Sequence, residues 1–452
     1  MKRLLLFIRQ NITNSVIIQF RNMKTSLCSF MFIALMCFTC GTKNKEENSN
    51  KVSNKVSNNE MLENKTAKQK SDSTKNKFPD LQNSAFELHY DAIVIDTHND
   101  ILMPVKLQGA DMTIDNSNTQ SDMVKWKQGG LDVQVFSIYV PERFKSNYFN
   151  YAMRLIDALE ETQQQFPNKL CLAYKYDDVV NCINSNKLCG LMGAEGGAMV
   201  EGKIENLEKL YERGIRYLGL TWNTSNEIAI SARDETERGK QGGLKEFGTQ
   251  VVKRMNELGM LIDVSHLGET AFWEVVQISK HPIIASHSCV YNLTPHYRNL
   301  KDDQIRAIAQ SGGYIGVNFF CKFLEPNANK EQVISIHSKY KKAGKNLLNE
   351  YPDDLITFNQ KRYEYLTENK TNSGTPVDIL IDHIDYIVKL VGIDFVGLGS
   401  DFDGSIYTPN EIYDATCYPI ITKKLVERGY TEEDIRKILG LNFLRVFKEV
   451  CK

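Results

Sequence analysis

The stretch MLIDVSHLGETAFWEVVQISKHPIIASH, residues 260–287, holds the pattern on which the fold turns. Met260 to Val264 and Pro282 to Ser286 are short apolar runs, and polar residues that include a histidine, His266 and His287, follow each. Runs this apolar are buried on both faces, which is the signature of strands in a parallel sheet covered by helices. Working outward, the same kind of run recurs at Ala92 to Asp96, Val133 to Val140, Gly190 to Ala194, Ile215 to Thr221, Tyr314 to Asn318 and Phe395 to Gly399. Segments between them, such as Leu244 to Leu258 and Asp302 to Gln310, carry helical periodicity. Eight strands alternating with helices predict an α/β chain folded as a (β/α)8 TIM barrel, with an open doubly wound sheet as the alternative. The stretch Cys321 to Thr375, rich in Lys, Asn, Glu and Tyr, reads as a helical insertion before the last strand, overhanging the mouth of the barrel.

Barrel sites form at the C-terminal ends of strands. Five clusters of polar, metal-competent residues fall there: Asp96-Thr97-His98-Asn99-Asp100, Ala194-Glu195-Gly196-Gly197, Asp263-Val264-Ser265-His266, Ala285-Ser286-His287 and Ser400-Asp401-Phe402-Asp403. A single histidine at a strand end is more often structural than a ligand. Five such clusters at eight strand ends are not explained that way, and imidazoles combined with carboxylates favour a divalent ion such as zinc. His89, His281, His296, His337 and His383 lack this placement and read as surface or structural residues, His383 packing a helix.

The ordered series formed by those clusters, by Gly129-Gly130-Leu131-Asp132-Val133-Gln134-Val135-Phe136-Ser137, Arg216-Tyr217-Leu218 and Arg298-Asn299-Leu300-Lys301-Asp302-Asp303, and by the closing Asn442-Phe443-Leu444-Arg445-Val446-Phe447, resembles the membrane dipeptidase (renal dipeptidase) family from Asp91 to Phe447. The resemblance implies a metal-dependent hydrolase barrel that cleaves dipeptides to free amino acids, using hydroxide generated between two zinc ions per chain. Carried over position by position, it implies that His98 and Asp100 bind one zinc, His266 and His287 bind the other, and Glu195 bridges both. It gives Arg298 the substrate's C-terminal carboxylate, for which a planar guanidinium fork is suited. It gives Asp401 the handling of protons near the metals, with Asp403 as the fallback. It also suggests a homodimer.

The chain departs from the family at Leu220-Thr221-Trp222-Asn223, where Trp222 stands in place of a histidine that contacts substrate in mammalian members. Trp222 and Asn223 are therefore candidates for shaping the substrate pocket, with a packing role for Trp222 the alternative. The rival readings are a related amidohydrolase acting on N-acyl amino acids or β-lactams, and a surface binding protein that keeps the site without turnover.

Composition sets the remaining bounds. The 55 Lys and Arg residues balance 56 acidic ones, leaving a net charge of −1 and no field for nucleic acid. Leu27 to Thr39 is an apolar run following Lys24 and ending at Cys40, too short to span a membrane and fitted to a signal peptide. Residues 1–40 thus read as an export signal, with Met23 an alternative start and Cys40 a lipidation site. An exported protein, lipid-anchored to a bacterial membrane and facing the periplasm or cell surface, follows. Residues 41–84 are polar, echo Lys51-Val52-Ser53-Asn54 in Lys55-Val56-Ser57-Asn58, and read as a disordered tether ahead of a catalytic domain over 85–452. Beyond the signal, Cys171, Cys182, Cys189, Cys289, Cys321, Cys417 and Cys451 are odd in number, so at least one thiol stays unpaired within the monomer.

Overall fold

The computed structural model describes Leu81 and residues 84–452 apart from Ser146. The signal segment, Cys40 and nearly all of the 41–84 tether lie outside the described residues.

Nine strands form one sheet: β1 (Ile95–Asn99), β2 (Val133–Tyr139), β3 (Leu170–Leu172), β4 (Leu188–Glu195), β5 (Ile215–Gly219), β6 (Leu261–Asp263), β7 (Ile283–Ala285), β8 (Tyr314–Val317) and β9 (Val396–Leu398). Their order is β1-β2-β4-β5-β6-β7-β8-β9, with every pairing parallel, and β3 pairs only with β4. The eight strands in that path overlap the eight sequence runs. The ends of the path meet just beyond β9, where Asp401 N donates to His98 O (3.1 Å) and Asp100 N donates to Phe402 O (2.8 Å). Side chains reinforce this seam: the buried Asp96 carboxylate accepts from Ser400 N at 2.8 Å, Ser400 Oγ at 2.6 Å and Tyr418 OH at 2.8 Å. An open sheet would leave both edges unpaired, so the barrel reading holds.

The strands are buried along almost their whole length, as parallel strands wrapped by helices must be. At the N-terminal end of the barrel, Ile95, Val133, Leu261 and Tyr314 pack in one cluster with Phe443, Phe447 and Val450 of the C-terminal helix Asn442–Val450. That helix plugs the bottom, so the opposite end is the one left to loops.

β3 was not foreseen. It is three residues long and hydrogen-bonds on one side only, and its Cys171 is joined by a disulfide to Cys182 on the following helix, Tyr176–Asn184, with Cα atoms 5.8 Å apart. The other five cysteines of the described residues are free and buried.

The insertion is helical as expected, comprising Cys321–Leu324, Lys330–Glu350 and Leu355–Glu368. Its contacts fall on the rim: His337 Nε2 donates to Pro409 O (2.9 Å), Lys341 reaches Ser117 O (3.4 Å) and the Asp414 carboxylate (3.9 Å), and Arg362 donates to Thr416 O (2.8 Å). It braces the loops after β1 and β9, and no insertion residue lines either cavity beside the site described below. Among the described residues, no helix is long and apolar enough to cross a membrane.

Candidate metal centre

Four of the strand ends deliver five of the polar side chains singled out above to one buried point. His98 and Asp100 come from the end of β1, Glu195 ends β4, His266 lies three residues beyond β6, and His287 two beyond β7. All five are buried. Their ligand atoms form two triplets, His98-Asp100-Glu195 and Glu195-His266-His287, each with its atoms within 4.8 Å of one another, and Glu195 is common to both. Glu195 Oε2 lies 3.6 Å from His98 Nε2, while Oε1 lies 3.0 Å from His266 Nε2 and 3.6 Å from His287 Nε2. Asp100 Oδ2 is 3.8 Å from His98 Nε2, and its Oδ1 has no hydrogen-bond partner.

Each imidazole is held through its other nitrogen, and the partners set the tautomer. Tyr217 OH donates to Thr97 O (3.2 Å), so it accepts from His98 Nδ1 at 2.9 Å. Tyr217 reaches this position because Gly193 of β4 has no side chain; a Cβ there would lie 2.0 Å from the Tyr217 ring. Ser286 Oγ donates to Asp263 Oδ2 (2.6 Å) and accepts from His287 Nδ1 at 2.7 Å. Asn223 Oδ1 accepts from His266 Nδ1 at 2.9 Å. With all three Nδ1 atoms protonated, all three Nε2 atoms carry lone pairs turned toward one another and toward Glu195. His98 Nε2 is buried without any hydrogen-bond partner. Such an arrangement of lone pairs and carboxylates is repulsive on its own and becomes favourable around cations, and its outer partners are of the kind that orient metal-binding histidines.

The electrostatics agree for His266 and His287, whereas on His98 burial opposes a charge and the neighbouring Tyr217 and Glu195 favour it, holding that imidazole well above its usual range. Burial and the charge of Arg298 push His266 down to about 3, and burial with the neighbouring His98 lowers His287 well below the usual range, so both are neutral donors. Burial opposes a charge on Glu195, but the facing imidazoles, His98 foremost, hold it well below the ordinary carboxylate range. The backbone is strained at the same places: His266 and Asp401 sit at φ 66° and 63°, a region costly for residues with a Cβ and characteristic of functional sites.

Asp401 shares the centre, with one of its oxygens and one ring nitrogen each of His98 and His287 all within 4.8 Å of one another. Asn318 Nδ2 donates to its Oδ2 (2.9 Å), and desolvation together with the Asp100 charge pushes its carboxyl up to about 8. Asp403, the fallback for the same role, is committed elsewhere. Its carboxylate accepts from Gln120 N (2.7 Å), Ser121 N (3.0 Å) and Ser121 Oγ, tying the loop after β9 to the loop after β1.

Arg298 lies on the other side of His287, buried, with Nη2 donating to His287 O (3.0 Å), Nη1 reaching Ser288 Oγ (3.4 Å) and Nε without a partner. It lines a cavity of ≈ 370 Å³ shared with His266, Glu235, Glu237, Glu269 and Lys301. His296, read from sequence as surface or structural, lines this cavity too, accepting from Arg298 N (3.1 Å). His383 is structural as expected, accepting from Val290 N and donating to Leu324 O. Trp222 lies over the opposite side, its ring centroid 6.3 Å from that of His266 and 4.9 Å from Tyr139. Asn223 orients His266 through the bond just described. Sequence reading missed Tyr139, Tyr217 and Asn318. Tyr139 and Ser137, whose Oγ donates to Glu195 Oε2 (3.3 Å), alternate on β2 toward its C-terminal end, and that spacing was the available signal.

A profile of the family described as Membrane dipeptidase (Peptidase family M19) matches residues 82–452. An uncharacterized dipeptidase of Schizosaccharomyces pombe is 30% identical over 377 residues, covering 79% of this chain and 80% of its own. Among solved structures, the probable dipeptidase PvdM of Pseudomonas aeruginosa is similar with a TM-score of 0.67 at 28% identity, over 82% of this chain and 98% of that one. A metallopeptidase of Rhodobacter sphaeroides, solved with a phosphinate mimic of the dipeptide L-Ala-D-Ala, is similar in fold with a TM-score of 0.64 at 23% identity, over 80% of this chain and 100% of that one.

Proposed function

The chain belongs to the membrane dipeptidase family and is a metallopeptidase of the dipeptidase class, and on that premise we propose that it hydrolyses dipeptides with two zinc ions held by His98, Asp100, Glu195, His266 and His287. The observation that carries this reading is the convergence of three Nε2 atoms on one carboxylate, with each Nδ1 engaged by a partner that turns the ring toward it. The donor set of imidazoles and carboxylates suits zinc. When bound, paired zinc ions polarise the scissile carbonyl and lower the pKa of water.

The chain's own groups do the rest. Arg298 receives the substrate's C-terminal carboxylate through its unpartnered face, which fixes the distance from that carboxylate to the bond cut and so selects dipeptides. Asp401, held by Asn318 on Oδ2 and facing His98 and His287, is the carboxyl placed to pass a proton to the leaving amine. Tyr217, Asn223 and Ser286 keep the imidazoles aimed without entering the chemistry. Comparing hydrolysis of a dipeptide, of the same dipeptide with its carboxylate amidated, of an N-acyl amino acid and of a β-lactam, read as amine release for the first three and as ring opening for the last, tests this. Cleavage confined to the free dipeptide supports the reading, and preference for either of the last two replaces it.

The reading extends to the cell surface: Cys40 carries a lipid, the 41–84 segment tethers the barrel to the outside of a bacterial membrane, and barrels pair as homodimers. The apolar run ending at Cys40 supports the anchor. Radiolabelled palmitate incorporated by the wild type and not by Cys40→Ser is the expected result.

A further inference from the structure

The two cavities flanking the metal centre differ greatly in size, and we infer that this chain selects a glycine- or alanine-sized residue at the N-terminal position of its dipeptide while leaving the C-terminal position open to large and polar side chains. The inference rests on the dipeptidase reading above. With the carboxylate on Arg298 and the scissile bond at Glu195, the C-terminal residue lies in the ≈ 370 Å³ cavity that Arg298 lines. That space is bounded by Glu235, Glu237, Glu269 and Lys301, so it accommodates polar and basic side chains as well as large ones.

The N-terminal residue must then lie on the other side of the bond, where Glu195 lines a second cavity with Tyr148, Met199, Trp222, Thr224 and Asn226. This cavity measures ≈ 20 Å³. A single water needs about 10–15 Å³ on this measure, so the space holds about one methyl group. The residue that closes it is Trp222, whose ring is backed by Tyr139 at 4.9 Å between centroids. The wall is seated on backbone: Gly196, at φ 94° directly after Glu195, has no side chain, and a Cβ there would meet Trp222 Cβ at 3.2 Å. Trp222 therefore abuts the strand end that supplies Glu195, close enough that only a glycine fits between them. Where a pocket is this confined, one methylene changes discrimination by about 10–200-fold.

The test is kcat/KM of the zinc-loaded full chain on two series, Gly-Xaa and Xaa-Gly with Xaa as Ala, Leu, Lys and Phe, for the wild type, Trp222→Leu and Trp222→Ala. A parallel measurement is the inhibition constant of phosphinate dipeptide mimics bearing a methyl or a benzyl group in the first position. The expected result is a spread within about 10-fold across Gly-Xaa and a fall of at least about 100-fold from Ala-Gly to Phe-Gly, reduced at least about 10-fold in the Trp222 variants. Phe-Gly cleaved as well as Ala-Gly by the wild type, with equal inhibition by the methyl and benzyl mimics, overturns the inference and leaves the dipeptidase reading standing. No cleavage of any dipeptide by folded, zinc-loaded protein overturns both.

Discussion

His266 Nε2 and His287 Nε2 lie 3.1 Å apart, each with its Nδ1 already engaged, by Asn223 Oδ1 and Ser286 Oγ respectively. Two lone pairs at that separation repel each other and are relieved by a cation between them, and Glu195 Oε1, 3.0 Å from His266 Nε2, supplies the counter-charge. The relationship places the weight of the site on the partners behind the histidines as much as on the histidines.

Those partners are testable without touching a ligand. Ser286→Ala cuts the link from His287 to Asp263, and Asn223→Leu frees His266 to rotate. Each change is expected to weaken metal binding by about 10–100-fold. Competition with a chromophoric chelator reads this directly, and unaltered affinity in both variants would contradict the tautomer argument.

Arg298→Lys keeps a cation and loses the planar fork. Losing a buried, hydrogen-bonded partner of a charge costs about 2–5 kcal/mol, so kcat/KM for dipeptides should fall by at least about 30-fold, carried mostly by KM. A loss carried by kcat with KM unchanged would place Arg298 in the chemical step instead.

Metal removal should lower stability as well as activity, because Glu195, Asp100 and Asp401 crowd the same buried space without a counterion. Free zinc at about 100 times its dissociation constant stabilises by about 2.7 kcal/mol. The melting temperature should therefore fall on chelation and return on adding zinc, and a chelator-insensitive melting temperature would argue against bound metal.

A separate pH dependence comes from His89, buried on the helix Ala85–Asp91 and held by Thr422 Oγ1 and Gly129 O. Burial lowers its pKa from 6.5 to about 4, so the unfolded chain binds a proton more readily than the folded one. Stability is then full above pH 6.5 and is lost as the pH falls toward about 4, by on the order of 3 kcal/mol from this residue. Urea unfolding at pH 7 and pH 4.5 should show a smaller difference in His89→Gln than in the wild type; the same difference in both would remove His89 from the account.

The barrel was legible because strands buried on both faces leave uninterrupted apolar runs, and each run from Ile95 to Leu398 announces itself that way. β3 left no such trace, since Leu170–Leu172 is three residues long and is held by one neighbour and a disulfide. The candidate ligands stood out because His and carboxylates at strand ends have few structural reasons to be there, and the fold brings them together. Their supports were not: Tyr217 and Tyr139 read as strand aromatics, and only the closed barrel brings Tyr217 across to His98. Asp401 and Asp403 are alike in sequence and opposite in place, because the carboxylate of Asp403 is taken by Gln120 and Ser121, more than 280 residues earlier. His296, read as surface or structural, accepts from Arg298 N, and the cavity it borders is assembled from loops that sequence does not juxtapose.

The most direct test of the central claim is metal content measured beside dipeptide cleavage on the same preparation, for the wild type and Glu195→Gln. The account predicts about two zinc ions per wild-type chain, cleavage abolished by chelation and restored by zinc, and loss of both metal and cleavage in Glu195→Gln. Wild-type protein that cleaves dipeptides with no bound metal, or a Glu195→Gln variant that keeps its metal and its full activity, would contradict it.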